Sequence, residues 1–100
     1  MKVVWTEQAC RQLAEIEVFV AQRSPDAAAK LVERLLDRAE ALAGHPDRGR
    51  KVPEIPGSNL RELLVRNYRV VYRRTPKAIE ILTVFEGHRL LPREELPDDV

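Results

Sequence analysis

Apolar residues recur at helical spacing through the first half of the chain and predict two amphipathic helices. The first apolar stripe consists of Ala9, Leu13, Ile16 and Val20, with Phe19 beside it. The second consists of Ala28, Leu31, Leu35, Ala39 and Leu42. Residues three or four apart share one face of a helix, so each stripe marks the side that packs against a core.

Capping residues set the expected helix boundaries. A short β-strand is predicted over Lys2–Trp5, and Thr6 then supplies a favourable N-cap for the first helix. Ser24 and Pro25 end that helix and begin the second one, since proline is favoured at the first helical position. Gly44 is expected just after the second helix. The short connection predicts an antiparallel helix hairpin.

The second half of the chain predicts three β-strands, over 60–66, 68–74 and 78–85. The turns that join them, Arg66-Asn67 and Thr75-Pro76-Lys77, are only two or three residues long, which requires antiparallel pairing. In the first gap, Asn67 tolerates the left-handed conformation that a tight hairpin needs. Residues 45–59 hold three prolines and two glycines. They are predicted to form a loop with a short extended piece at Lys51–Val52.

These elements give the order β-α-α-β-β-β, an α+β fold in which the helix hairpin packs on a small, mainly antiparallel sheet. We expect one domain over 1–100: strand and helix hairpin over 1–44, loop over 45–59, sheet and closing turn over 60–92, and a tail over 93–100. From Leu90 onward the chain is predicted to be extended or frayed. The composition is that of a soluble globular protein. No apolar run approaches the length of a membrane span, so a cytoplasmic protein is expected.

Positive charge is concentrated in the middle of the chain. Residues 48–74 carry eight basic side chains against Glu54 and Glu62, a net of +6, whereas the flanking segments are acidic. Seven of the eight are arginines, whose planar fork suits phosphate and carboxylate groups. The strands therefore predict a cationic sheet face that binds a polyanion or an acidic protein. Interspersed charge that only keeps a small sheet soluble is the alternative.

The pattern Arg-Glu-Leu-x-Val-x-x-Tyr-Arg-Val-x-Tyr-Arg, here Arg61 to Arg73, resembles the RelE/ParE superfamily of type II toxins, and the ParE branch in particular. So does the last strand, which runs into a Gly-x-Arg-x-x-Pro turn at Gly87, Arg89 and Pro92. The likeness implies a toxin that traps DNA gyrase on cleaved DNA, blocks replication and is neutralised by a ParD-like antitoxin. A likeness to the RelE branch of the same superfamily implies a ribosome-dependent mRNA endonuclease instead.

Two sets of contact residues are predicted on this basis. The set expected to bind gyrase is Arg61, Arg69, Arg73, Arg89, Leu90, Leu91 and Pro92. An acidic and apolar antitoxin segment is expected across the helix hairpin and along the sheet. The set expected to bind it is Leu13, Val20, Leu31, Leu35, Arg48 and Arg50.

Catalytic residues are not expected. Metal-independent RNA cleavage needs a base, an acid and a cation for the developing phosphorane charge. The chain offers only an incomplete set for this chemistry: Arg69, Arg73, Glu86 and His88. A lysine pair and a tyrosine after the last strand are missing. The single cysteine, Cys10, and the two histidines give no metal-site spacing, so no metal or cofactor is expected. A harmless protein-binding module remains the competing function.

Overall fold

The computed structural model describes residues 1–100 and contains the predicted helices and strands. The helices are α1 (Glu7–Ala21) and α2 (Pro25–Glu40), and α2 continues into a short 3-10 helix, Ala41–Ala43. The strands are β1 (Lys2–Trp5), β2 (Arg50–Lys51), β3 (Arg61–Val65), β4 (Tyr68–Arg74) and β5 (Ala78–Glu86). A second 3-10 helix, Arg93–Glu95, lies near the C-terminus. Neither α-helix is long and apolar enough to cross a membrane.

The five strands form one sheet in the order β1-β5-β4-β3-β2. β1 pairs parallel to β5, with Val3 opposite Ile79, and the other three pairs are antiparallel. The α+β prediction is confirmed, and the first strand joins the sheet beside the last one. The extended piece of the loop is β2, which begins one residue earlier than the predicted Lys51–Val52 and adds a fifth strand at the edge.

Both helices begin at their predicted N-caps. The Thr6 hydroxyl accepts a hydrogen bond from the Ala9 amide at 3.2 Å. The Ser24 hydroxyl accepts one from the Ala27 amide at 3.1 Å. Each of these bonds satisfies one of the amides that a helix leaves without a partner at its start. Gly44 follows the 3-10 helix with φ −93°, in a conformation open to any residue.

The β3–β4 hairpin has its left-handed residue in an unexpected place. The turn is Arg66-Asn67, as predicted, but the residue with positive φ is Arg66, at 57°. The assignment of the left-handed conformation to Asn67 is therefore wrong. A side chain with a Cβ atom costs roughly 1 kcal/mol or more in this region, where asparagine and glycine are better tolerated.

Each face of the sheet has its own hydrophobic core. The larger core lies between the sheet and the helix hairpin and includes Leu35, Val70 and Tyr72, all fully buried. The smaller core lies on the opposite face. It contains Val52, Leu60, Val71, Leu82, Phe85, Leu91 and Leu96. The predicted tail is therefore packed against the sheet through Leu91 and Leu96 and is not frayed.

β5 has a bulge at Leu82, and hydrogen bonds beside this bulge link the tail to α1. The Gln8 amide donates to the carbonyl oxygens of Leu82, at 3.0 Å, and of Glu95, at 2.9 Å. The Gln12 side chain accepts from the Val84 amide at 3.0 Å and donates to the Glu95 carboxylate at 2.6 Å. Backbone groups beside the bulge thus obtain partners from α1, and the same two glutamines hold the tail in place.

Candidate functional site

The strand arginines predicted to bind a target lie on different faces of the sheet. Arg69 and Arg73, four residues apart on β4, share the face opposite the helices. Arg61 pairs in register with Tyr72, which lies in the core under the helices. Directly opposed residues point to the same side of a sheet, so Arg61 faces away from the other two. The three do not form one cationic surface.

Arg69 is enclosed by carboxylates. Its guanidinium bonds both carboxylate oxygens of Glu54 at 2.7 Å and the Glu62 carboxylate at 2.6 and 2.7 Å. Glu62 is itself fully buried and receives a second arginine, Arg50, at 2.7 Å. The guanidinium also lies 5.0 Å from the centre of the Phe85 ring. Hydrogen bonding to Glu54 and Glu62 raises the pKa of Arg69, and the bond from Arg69 lowers the pKa of Glu54.

The other strand arginines are also paired within the protein. Arg73 bonds Glu80 at 2.7 Å and Asp99 at 3.0 Å, and these hydrogen bonds raise its pKa. Arg61 donates to the Gly49 carbonyl oxygen at 2.7 Å and lies 3.7 Å from Asp47. Carboxylates of the loop and the tail thus neutralise much of the charge that the sequence assigned to an open cationic face.

The turn after β5 divides the remaining predicted target contacts. Arg89 is exposed and Leu90 is 90 % exposed. Leu91 and Pro92 are buried, with Leu91 in the smaller core. Of these four residues, only Arg89 and Leu90 are accessible to a partner in this structure.

The residues predicted to contact an antitoxin are similarly divided. Leu35 is fully buried in the larger core and cannot reach a partner. Leu13 and Leu31 pack against that core with part of their surface exposed. Among the two cations of this set, Arg48 is exposed and forms no ion pair, whereas Arg50 is tied to Glu62.

A groove that the sequence did not predict crosses the end of the molecule beside α1. One part is lined by Ile16, Phe19, Val84 and Arg89, the other by Val20, Ala27, Leu31, Lys30 and Arg66, and Tyr68 lines both. We call this the Tyr68 groove. Its floor is apolar. Its rim carries the acidic Glu15, Glu86 and Glu95 beside Arg89 in the first part, and only the cations Lys30 and Arg66 in the second. The one available signal was Phe19, which lies beside the first apolar stripe and is 70 % exposed.

The nuclease candidates are only partly assembled. His88 bonds the Glu86 carboxylate through its ring and through its amide, and this bonding lowers the pKa of Glu86. His88 and Arg69 line one cleft with Arg50 and Arg66. Arg73 lies four residues along β4 from Arg69, about 13 Å away at strand spacing. No three His, Cys, Asp or Glu side chains converge as metal ligands.

Comparison with known proteins gives consistent matches. Residues 3–91 match the family model described as the ParE toxin of the type II toxin–antitoxin system parDE. The Sinorhizobium fredii protein named "Putative toxin Y4kP" is 36% identical over 96 residues, which cover 92% of this chain and 94% of that protein. Toxin RelE3 of Caulobacter vibrioides is 35% identical over 81 residues, 77% of this chain and 84% of RelE3. A solved structure titled "Chromosomal ParDE TA system from P. aeruginosa" superposes with a TM-score of 0.72 at 26% identity, covering 86% of this chain and 95% of the other.

Proposed function

Because the chain belongs to the ParE toxin family of type II toxin–antitoxin systems, we propose that it arrests growth by inhibiting DNA gyrase. A ParD-like antitoxin neutralises it in this proposal. The toxin acts in the cytoplasm, where replication takes place, and needs no metal or cofactor of its own. Gyrase as the target follows from what the ParE resemblance implies.

The observation that supports binding over cleavage is the environment of Arg69. A nuclease needs a cation that can approach the scissile phosphate and stabilise its transition state. Arg69 is 7 % exposed and already holds two carboxylates, so it has little capacity to accept a phosphate. A toxin that works by binding needs only an exposed surface, and its internal ion pairs then serve to hold that surface in shape.

The proposed gyrase contact is the turn after β5. Arg89 is an exposed residue of a type that is enriched among binding hot spots, and Leu90 beside it offers an exposed apolar side chain. Leu91, in the smaller core, and the buried Pro92 hold the turn in place. Arg61, Arg69 and Arg73 support the sheet beneath it rather than contact the target.

The proposed antitoxin contact is the Tyr68 groove. An amphipathic segment binds a groove by inserting apolar anchors, and acidic residues on it would meet Lys30, Arg66 and Arg89 at the rim. Val20 and Leu31, two of the residues predicted for this role, lie in the groove. Leu13 packs against the larger core instead, and Arg50, which is bonded to Glu62, lines a neighbouring cleft with Arg66.

The test is purified gyrase with supercoiled plasmid and the free toxin. Accumulation of cleaved DNA or loss of supercoiling is expected, and Leu90→Glu should abolish the effect because it puts a charge into the apolar contact. Val18→Glu is the matched control: Val18 is also exposed but lies on the far side of α1 from the core. Added antitoxin should restore gyrase activity.

The relative named Toxin RelE3 defines the competing outcome. If gyrase is unaffected while translating ribosomes yield cut mRNA, the RelE-like activity replaces the proposal. In that case His88→Ala should remove the cuts. A protein that neither inhibits gyrase nor cuts mRNA, and does not arrest growth when induced alone, would be a harmless binding module.

A further inference from the structure

A row of exposed cations runs along α2. Lys30, Arg34 and Arg38 follow one another at intervals of four residues along the helix and are all exposed. The tip of the β3–β4 hairpin brings Arg66 to the same depression in the surface. We call these four residues the α2 ridge.

The ridge cations lack the partners that the strand arginines have. All five arginines in the β-strands form ion pairs: Arg50, Arg61, Arg69, Arg73 and Arg74. Arg34, Arg38 and Arg66 form none within 4.0 Å, and Lys30 reaches only Asp26, at 3.2 Å. That pair is largely exposed to water and therefore weak. Glu33 and Asp37 line the same depression without pairing, and they leave it a net charge of +2.

Two kinds of local cost, charge repulsion and backbone strain, coincide at this surface. Like charges four residues apart destabilise a helix, and the ridge has two such pairs; Glu33 and Asp37, three residues after Lys30 and Arg34, offset part of this cost. A left-handed arginine is strained, and Arg66 holds that conformation at the hairpin tip. Unpaired cations gathered in one place repel one another. Local costs that coincide at one surface indicate a functional reason for it.

We propose that the α2 ridge binds the phosphodiester backbone of the DNA duplex that is bound to gyrase. The proposal rests on the proposed function. Arginine forks bind phosphate oxygens through paired hydrogen bonds. From Lys30 to Arg38 the helix rises about 12 Å, and a duplex carries one negative charge per roughly 1.7 Å of its axis, so the ridge spans several phosphates.

DNA suits the ridge better than an acidic protein does. All six residues that line the depression are charged, and none is apolar. Protein interfaces draw much of their affinity from buried apolar and aromatic anchors, and this depression contains none; apolar residues begin only at the adjoining Tyr68 groove, which shares Lys30 and Arg66 with the ridge. Contact with the phosphate backbone requires only correctly placed donors and positive charge, and it carries no sequence preference.

The test compares two triple variants of equal charge. Arg34→Gln/Arg38→Gln/Arg66→Gly removes three ridge cations and keeps the turn, since glycine accepts positive φ. Lys2→Gln/Arg11→Gln/Lys77→Gln removes three exposed cations elsewhere. The formal net charge of the parent is +1, so both variants carry −2. Binding to a fluorescent 20-base-pair duplex is measured by anisotropy from 50 to 200 mM KCl, after circular dichroism has verified folding.

The parent's affinity should fall roughly 100-fold over this salt range, because four phosphate contacts give a slope of log K against log salt near −3.6. The control variant should keep that slope. The ridge variant should reduce its magnitude to about 0.9, the value for the remaining Lys30. Equal slopes in both variants, or no binding by the parent at 50 mM KCl, would overturn the proposal.

The gyrase assay separates this proposal from the function on which it rests. If the parent and the ridge variant stabilise cleaved DNA equally, the ridge has no such role, although gyrase inhibition stands. If the parent binds DNA through the ridge but leaves gyrase active, the DNA contact is supported and the gyrase function fails. If the ridge variant loses affinity for gyrase in the absence of DNA, the ridge binds acidic protein, which also overturns the proposal.

Discussion

Arg69 and Glu54 are joined by two parallel hydrogen bonds, each 2.7 Å long, that fasten the loop after β2 to the sheet. The Glu62 carboxylate, fully buried beneath them, needs the same guanidinium as a partner. One arginine therefore both attaches the loop and neutralises a buried charge. This arrangement explains why the loop and the smaller core stay together on a face that has no helix to cover it.

Arg69→Met should lower the free energy of unfolding by roughly 3 kcal/mol, because it takes a partner from a buried carboxylate. Arg73→Met is the matched control on the same strand and face. Its partners Glu80 and Asp99 are partly or largely exposed, so it should cost no more than about 1 kcal/mol. Urea unfolding followed by circular dichroism measures both. Equal decreases in the free energy of unfolding would show that the bonds of Arg69 to Glu54 and Glu62 stabilise the protein no more than those of Arg73.

The same pair should make stability depend on pH. Arg69 lowers the folded-state pKa of Glu54 below its ordinary value of 4.5. The stability that the ionised Glu54 contributes is therefore complete above pH 4.5 and is lost as the pH falls through its lower folded-state pKa. Free energies of unfolding, measured from about pH 6 down to about pH 3, should decline less steeply in Glu54→Gln than in the parent. Glu33→Gln, which removes an exposed carboxylate without an ion pair, should keep the parental profile.

Gly49 should tolerate no side chain. A Cβ atom there would lie 2.7 Å from the Glu62 carbonyl oxygen and 2.7 Å from the Tyr72 ring. The Gly49 amide also donates to the Tyr72 hydroxyl at 2.9 Å. Gly49→Ala should therefore destabilise the protein by about 1–3 kcal/mol, as overpacking does. Gly44→Ala is the control, since nothing lies within 4 Å of its added Cβ, and its unfolding midpoint should stay the same or rise slightly.

The elements of this fold were readable from sequence because they depend on local signals. Thr6 and Ser24 act as caps through contacts three residues away, and the apolar stripes depend only on helical period. The ion pairs of the strand arginines could not be predicted, because they depend on which carboxylates the fold places beside each arginine. Glu54 reaches Arg69 across 15 residues and Asp99 reaches Arg73 across 26.

The same limit applies to the binding surfaces. Leu35 and Leu90 are the same residue type, and both were predicted to contact partners. Leu35 is fully buried, whereas Leu90 is 90 % exposed. Periodicity identifies the side of a helix that is apolar but not how completely the sheet covers it. The groove around Tyr68 forms where α1, α2 and the hairpin tip meet, a junction that no local pattern describes.

The hairpin turn offers a stabilising substitution. Arg66 has φ 57°, and its side chain forms no ion pair. Arg66→Gly should raise the free energy of unfolding by about 1 kcal/mol by relieving this strain, and Arg66→Asn by somewhat less. Arg66→Val should lower it, because a β-branched residue is poorly accommodated at positive φ. Thermal unfolding of the three variants provides the ranking, and a valine variant as stable as the glycine variant would refute the strain.

Phe19 should contribute strongly to antitoxin binding and little to folding. Its ring is 70 % exposed on α1 and lines the Tyr68 groove, so truncation removes few internal contacts. Aromatic anchors in a groove commonly contribute about 2 kcal/mol or more, so Phe19→Ala should weaken antitoxin binding at least about 30-fold in calorimetry. Val18→Ala is the control, because Val18 is 64% exposed on the same helix but points away from the groove. If Val18→Ala weakens binding as much as Phe19→Ala, the antitoxin lies over the outer face of α1 rather than in the groove.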